Sequence, residues 1–369
     1  MDRKYLKISQ LIGVILACFS LAYLVVAQDT SPVITANNVA QLHSDSRINF
    51  ADWEGQVGKI ENGWFALNPD GNRLAMMNRS GEIVISNDTG EIIDHYSIPG
   101  SDNLPTSVLD IAFKQHDPVV VSAHSEGGAY YVAYRSYDEH QTEYFRFDTP
   151  DVPLRIWDSG LAWLEVSPAD YTRSRYVQTL KPSAFKSYRV NEVLPQNAVV
   201  ELPSGPENDP DSFLRIGRID PPFAITTTQS FLVKRWNLET NEITATAQLD
   251  ALPGAGQLSQ DGRYFVWRDG DSNVLRLLDF ETGKDRIIAL LQGEYIPFLL
   301  LNSSADVIIG VNVALKPIVV AWNTITGERV ELGEYRLCTR QPDMVRLSDD
   351  SKTLVIGCDK GVDIWRVTP

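Results

Sequence analysis

Few of the residue types that do chemistry are placed to do it together. The five histidines, His43, His95, His116, His124 and His140, all fall in the first 140 residues. None stands in a His-x-x-x-His pair, and no Cys-x-x-Cys occurs, so the spacing offers no zinc site. His116 and His124 can face each other across one hairpin, but a solvated or hydrogen-bonded histidine accounts for each equally well. Ser183-Ala-Phe-Lys186 fits a Ser-x-x-Lys pattern, and Ser101-Asp-Asn103 fits its usual companion. Their order is reversed and the third motif of that set is absent. There is no Gly-x-Ser-x-Gly elbow and no phosphate-binding glycine loop. Asp269-Gly-Asp-Ser-Asn273 sets three oxygen ligands at alternate positions, as calcium loops do. Val274 and Phe280 then stand where such a loop needs glycine and glutamate, and a plain hairpin turn explains the run. The expectation is a chain with no catalytic set, no cofactor and no metal.

Cysteine chemistry is the exception. Cys18 lies in an apolar leader, which leaves Cys338 and Cys358 as an even pair. In an oxidising compartment the two are a candidate disulfide; two free, buried thiols are the alternative. A bridge closing a loop of about 20 residues contributes on the order of 3 kcal/mol.

The compartment is read from the N-terminus. Arg3, Lys4 and Lys7 precede an apolar run from Ile8 to Ala27, and Val25-Val26-Ala27 offers small side chains for cleavage. Residues 1–27 therefore read as a signal peptide. A run this long also spans a bilayer, so a retained membrane anchor stays open. A lipid anchor at Cys18 fits poorly, because Leu16 is bulky and the apolar run continues past it. Each option puts the rest of the chain outside the cytoplasmic membrane: secreted, periplasmic or tethered to its outer side. The formal net charge of −15 repels nucleic-acid phosphates and anionic lipid. No nucleic-acid partner is expected, and membrane contact only through the N-terminal segment.

The elements that would position any site are short strands. Runs of β-branched and aromatic residues alternate with Asp, Asn, Gly, Ser and Pro clusters, with little helical periodicity. The runs repeat. Ile85–Glu91, Trp236–Glu242, Leu278–Lys284 and Trp322–Glu328 each carry Thr, then Gly or Asn, then a charge. Gly90, Asn241, Gly283 and Gly327 fall where a tight hairpin demands positive φ. A second marker precedes them at Leu67–Gly71, Leu258–Gly262, Leu301–Ala305 and Leu347–Ser351. The spacing is 45 residues from Asp261 to Asp306 and 44 from Asp306 to Asp350. Units with degenerate markers hold Val108–Phe147 and Phe213–Leu249. One more is assigned to Leu161–Leu202, with Ser167-Pro-Ala-Asp170 as its first turn. The count is seven four-stranded units.

The last unit, Met344–Val367, is one strand short, and Ile48–Trp53 is a spare strand before the first. Since an unpaired edge is a liability, the spare strand is expected to complete the final unit and close a ring. Residues 28–45 read as a linker, with a short helix over Ile34–Leu42 capped by Thr35. Residues 46–369 read as the ring.

Leu347-Ser-Asp-Asp-Ser-Lys-Thr-Leu-Val-Ile-Gly-Cys-Asp-Lys-Gly-Val-Asp-Ile-Trp365 resembles the ordinary pattern of the WD-repeat β-propeller family. Leu67–Ser86 and Leu258–Thr282 are similar to it as well. The resemblance covers roughly residues 46–369 and is weakest from about 105 to 250. It implies an all-β, seven-bladed β-propeller of four-stranded antiparallel blades. No Gly-His dipeptide occurs, so the buried network that ties each blade of that family to its Trp is missing. The chain would be a divergent, exported, bacterial-type member. The Asp279–Gly283 turn also resembles that of quinoprotein dehydrogenase propellers, which place a Trp four residues after the glycine. Ile287, Asp94 and Glu331 stand there, which argues against a quinone cofactor.

Trp157, Trp163, Trp236, Trp267, Trp322 and Trp365 are expected to pack between blades. Trp53 and Trp64 are core candidates, with sugar stacking as the alternative. Tyr137–Glu143 is an acidic hairpin tip and Leu202–Asp211 a Pro-rich acidic loop, each a binding loop or a solvated linker. The expected function is a non-catalytic, monomeric interaction platform for a protein or peptide. The alternative is an enzyme or a glycan or quinone binder using the central channel.

Overall fold

The computed structural model describes residues 31–53, 57, 64–78, 81–97, 107–113, 119–126, 129–147, 152–157, 160–165, 184–189, 198–200, 212–216, 223–228, 230–237, 240, 242–251, 253, 256–259, 261–269, 273–291, 293–313, 317–339, 341–342 and 344–368. The leader, the Ser101–Asn103 and Ser167–Asp170 segments and the Leu202–Asp211 loop lie outside them. Residues 33–368 form one compact unit.

Every sheet is antiparallel and four-stranded. After β1 (Leu42–Asn49) come β2 (Trp64–Leu67), β3 (Arg73–Met77), β4 (Glu82–Asn87) and β5 (Ile92–Ser97), paired in that order. The next sheet is β6 (Ser107–Phe113), β7 (Val119–Glu126), β8 (Ala129–Ser136) and β9 (Gln141–Phe147). Then follow β10 (Val152–Trp157), β11 (Gly160–Glu165), β12 (Ala184–Arg189) and β13 (Ala198–Val200). β14 (Ser212–Ile216), β15 (Phe223–Thr227), β16 (Leu232–Asn237) and β17 (Glu242–Gln248) repeat the order. So do β18 (Gly256–Leu258), β19 (Tyr264–Asp269), β20 (Val274–Asp279) and β21 (Lys284–Leu290). β22 (Phe298–Leu301), β23 (Val307–Asn312), β24 (Ile318–Asn323) and β25 (Arg329–Glu334) make another. The last sheet has β26 (Met344–Leu347), β27 (Thr353–Cys358) and β28 (Gly361–Val367), with β1 as its fourth strand.

The expected spare strand does fill the last sheet, but with other bounds. β1 begins at Leu42 and ends at Asn49; Phe50–Asp52 is a single 3-10 turn. Ile48 lies opposite Val362 and Leu42 opposite Val367. Its alternating buried and exposed residues suit an outer strand with one covered face. The expected linker is also structured. Instead of a Thr35-capped helix, only Val39–Gln41 forms a 3-10 turn, after Asn38. Ile34 is fully buried, and its backbone holds two sheets' turns: its N–H donates to Ser351, and its carbonyl accepts from Asn302 Nδ2 at 2.8 Å. Beyond Ile34 the chain turns over 36–38, where the Thr35 N–H donates to Asn38 Oδ1 and the Thr35 carbonyl accepts from Asn38 and Val39, so Thr35 is bound up in a turn and does not cap a helix. The sheet assigned to Leu161–Leu202 begins earlier, at Val152. Ser167–Asp170, expected as its first turn, lies outside the described residues.

The turn markers have one physical basis. Asn68, Ser259, Asn302 and Ser348 end first strands, and each side-chain oxygen accepts from the N–H five residues on: Arg73, Tyr264, Val307 and Thr353. Gly71, Gly262, Ala305 and Ser351 then take positive φ. Such side-chain bonds replace backbone partners lost in the turn.

The core is layered between sheets. β23 and β27 are buried at every residue, because a neighbouring sheet covers each face. The outer strands β21 and β25 are mostly exposed or half-buried. First strands approach one another in the row β10, β6, β2, β26, β22, β18. At the end of that row the β14–β17 sheet packs Ile225, Val233 and Leu249 on Phe265 and Trp267 of the β18–β21 sheet.

Candidate functional site

A buried ion pair lies between the β2–β5 and β6–β9 sheets. Asp94 sits in β5, opposite Ile85. Its side chain is only 5% exposed. Across the interface Arg135, near the end of β8, donates from Nε to Oδ2 at 2.7 Å and from Nη2 to Oδ1 at 3.0 Å. His140 Nδ1 lies 3.0 Å from the same Oδ1. Arg135 also lies over the Tyr96 ring at 5.1 Å, and Arg73 over the Tyr137 ring at 5.4 Å.

Register explains why Arg135 is there. Trp236, Trp322 and Trp365 occupy one repeated place in the third strand, opposite Ala224, Ile308 and Leu354 near the start of the second. Arg135, opposite Val120, takes that place in the β6–β9 sheet. His140 has φ +54 and stands in the third turn, where other sheets use Gly90, Gly283 and Gly327. The neighbouring outer strand leaves little room at this turn. A Cβ on Gly327 would meet the Ile288 carbonyl oxygen at 2.7 Å. His140 meets its outer strand at Asp94 instead.

Burial pushes the Asp94 pKa up, but the bonds and charges of Arg135 and His140 outweigh it and hold the carboxyl below its ordinary range. Both carboxylate oxygens are committed. The group is a carboxylate locked in an ion pair, unsuited to passing a proton, and its geometry is that of a joint between sheets.

The sequence candidates scatter. His43 is exposed on β1 beside the Gln41 carbonyl, and His95 is exposed on β5. His124 pairs with Val108, while His116 is outside the described residues. Lys186 lies in β12; Ser183 is outside the described residues. Asp269 ends β19, and Asn273 takes φ +52 and donates to the Leu291 carbonyl, as a hairpin turn requires. Among the described residues no group of three His, Cys, Asp or Glu side chains could hold a metal. Trp236, Trp267, Trp322, Trp365 and Trp53 are all buried. Trp53 donates to the Gly90 carbonyl at 2.8 Å, which spends its polar edge inside the protein. The backbones of Trp157 and Trp163 lie in β10 and β11, and that of Trp64 in β2.

Cys338 and Cys358 are bonded, with Cα atoms 4.6 Å apart. The bridge ties the segment before β26 to the end of β27, within the sheet that β1 completes. Cys358 is buried among Ile34, Leu42 and Trp365 in one apolar cluster.

Sequence reasoning missed the Asp94–Arg135–His140 cluster. Its one signal was an arginine at the Trp place of a weakly marked unit.

No family model matches the chain, and no curated protein matches it. Its fold is similar to the crystal structure of the Cps50 (Swd1) β-propeller domain from Myceliophteria thermophila. The match has a TM-score of 0.58 at 12% identity and covers 89% of this chain and 100% of that one. At that identity the likeness speaks for the fold alone, and with the sheet order above it makes this chain an all-β protein of the β-propeller kind.

Proposed function

We propose that this chain is a closed, seven-bladed, WD-repeat-like propeller that works outside the cytoplasmic membrane as a non-catalytic, monomeric platform for a protein or peptide partner. The observation that carries the reading is the seam. β1, from the N-terminal end of the compact unit, completes the sheet made by the C-terminal end. A fold that joins its two ends has spent sequence on a rigid frame, and rigid frames present loops and edges to partners. Closure then requires the β10–β13 sheet to meet the β14–β17 sheet. The leader at 1–27 and the Cys338–Cys358 bridge support an oxidising location, secreted, periplasmic or tethered.

The test is affinity purification of the full chain from its native envelope, with mass spectrometry of what co-purifies. A stoichiometric partner that survives washing supports the platform. Recovery of nothing specific, together with turnover of a glycan or reduction of a quinone by the purified chain, would replace it with an enzyme. Cross-linking between the β10–β13 and β14–β17 sheets tests closure; its absence would leave an open stack.

A further inference from the structure

Exposed large apolar side chains are concentrated in one place. Among the described residues six are exposed, and four of them lie on β21, in the loop after it, or on the turn packed against it. Ile287 is 57% exposed, Leu290 67%, Tyr295 50% and Ile325 77%. Ile325 belongs to the β24–β25 turn, which meets β21 where Arg286 donates to the Thr324 carbonyl. β21 is also an edge, since its sheet ends there. Natural edges are usually guarded by charge or covered.

The local charge runs against that of the whole protein. The net charge is −15, yet the exposed charges of β21 are Lys284 and Arg286. Asp285 is engaged by Arg276 Nε at 2.7 Å, and in the following loop Glu294 is engaged by Arg329 at 2.5 Å. Arg268 lies over the Tyr295 ring at 5.5 Å and adds a third cation. By contrast the outer strand β25 exposes Glu331 and Glu334, and β17 exposes Glu242.

We propose that the outer edge of β21, with Ile287 and Leu290, receives an extended segment of a partner protein as an added strand, one that alternates apolar residues with carboxylates. Main-chain bonds to the edge would supply affinity, and the side chains would supply choice. Lys284 and Arg286 favour carboxylates on that segment. The inference rests on the platform reading and names the partner's chemistry.

The probe is a dye-labelled, acetylated nonapeptide of alternating Glu and Val, titrated into the full chain by fluorescence anisotropy. Wild type should bind it, and should bind the matching Lys and Val peptide about tenfold more weakly. Ile287→Ser with Leu290→Ser should weaken the Glu and Val probe about tenfold at an unchanged Tm. Hydrogen exchange should slow at 284–290 when the probe is bound. Equal affinity in the variant, protection at another strand, or no binding would overturn the site. Binding of anionic lipid vesicles instead of the peptide would also overturn it and point to a membrane surface. If a partner captured from the envelope stays on the variant, this inference fails while the platform stands. If no partner is captured at all, the platform fails, and the probe still judges the edge.

Discussion

Arg135 grips Asp94 with two of its nitrogens across a sheet interface, from the place that three other sheets give to the buried Trp236, Trp322 and Trp365. This interface thus has an ion pair where those three sheets set a buried aromatic ring.

Asp94→Ala should destabilise the protein by roughly 3 kcal/mol, because Arg135, only 12% exposed, would be left without its carboxylate. Replacing both residues with apolar ones, Asp94→Leu with Arg135→Met, should cost less than the single change. Urea unfolding of the three variants checks this. Equal losses would mean that the pair is no joint.

Stability should fall at acid pH, with Asp94 contributing. Its folded pKa lies below its unfolded value, so its stabilisation is complete above about pH 4 and is lost as pH drops through the folded value. Asp306 acts in the same sense: burial raises its pKa, but bonds from Ser304, Asn302 and the Ala36 N–H lower it further. Asp94→Asn should flatten part of the fall of Tm below about pH 4. An unchanged slope would remove Asp94 from the account.

Reducing the Cys338–Cys358 bridge, or the change Cys338→Ser, should cost on the order of 3 kcal/mol. Denaturant midpoints with and without reductant measure it. Cys338→Ser alone should make the protein insensitive to reductant.

The seam should be the weak point to steric insult. A Cβ at Gly361 would lie 2.1 Å from the Ile48 carbonyl oxygen. Gly361→Val should therefore loosen β1, costing about 2 kcal/mol or more. Limited proteolysis should then cut within 42–49, where the wild type resists.

Local chemistry was legible before any fold. The turns at Asn68, Ser259, Asn302 and Ser348 are built from residues at most five apart, so their markers stand in the chain itself. That β23 and β27 are covered on both faces came only from the stacked sheets. β1 was placed too late because an outer strand such as Leu42-His-Ser-Asp-Ser-Arg-Ile48 is mostly polar and imitates a linker.

The sequence by itself determined the strands, their turns, the short final unit and the residue types open to bonding at Cys338 and Cys358. Only the tertiary structure decided that Asp94 meets Arg135, that Ile34 is core, and that Ile287 and Leu290 stay outside. Turn geometry depends on neighbours along the chain, whereas burial and charge pairing depend on which sheet stands alongside. Residues 41 apart, as Asp94 and Arg135 are, carry no mark of each other until the sheets stack.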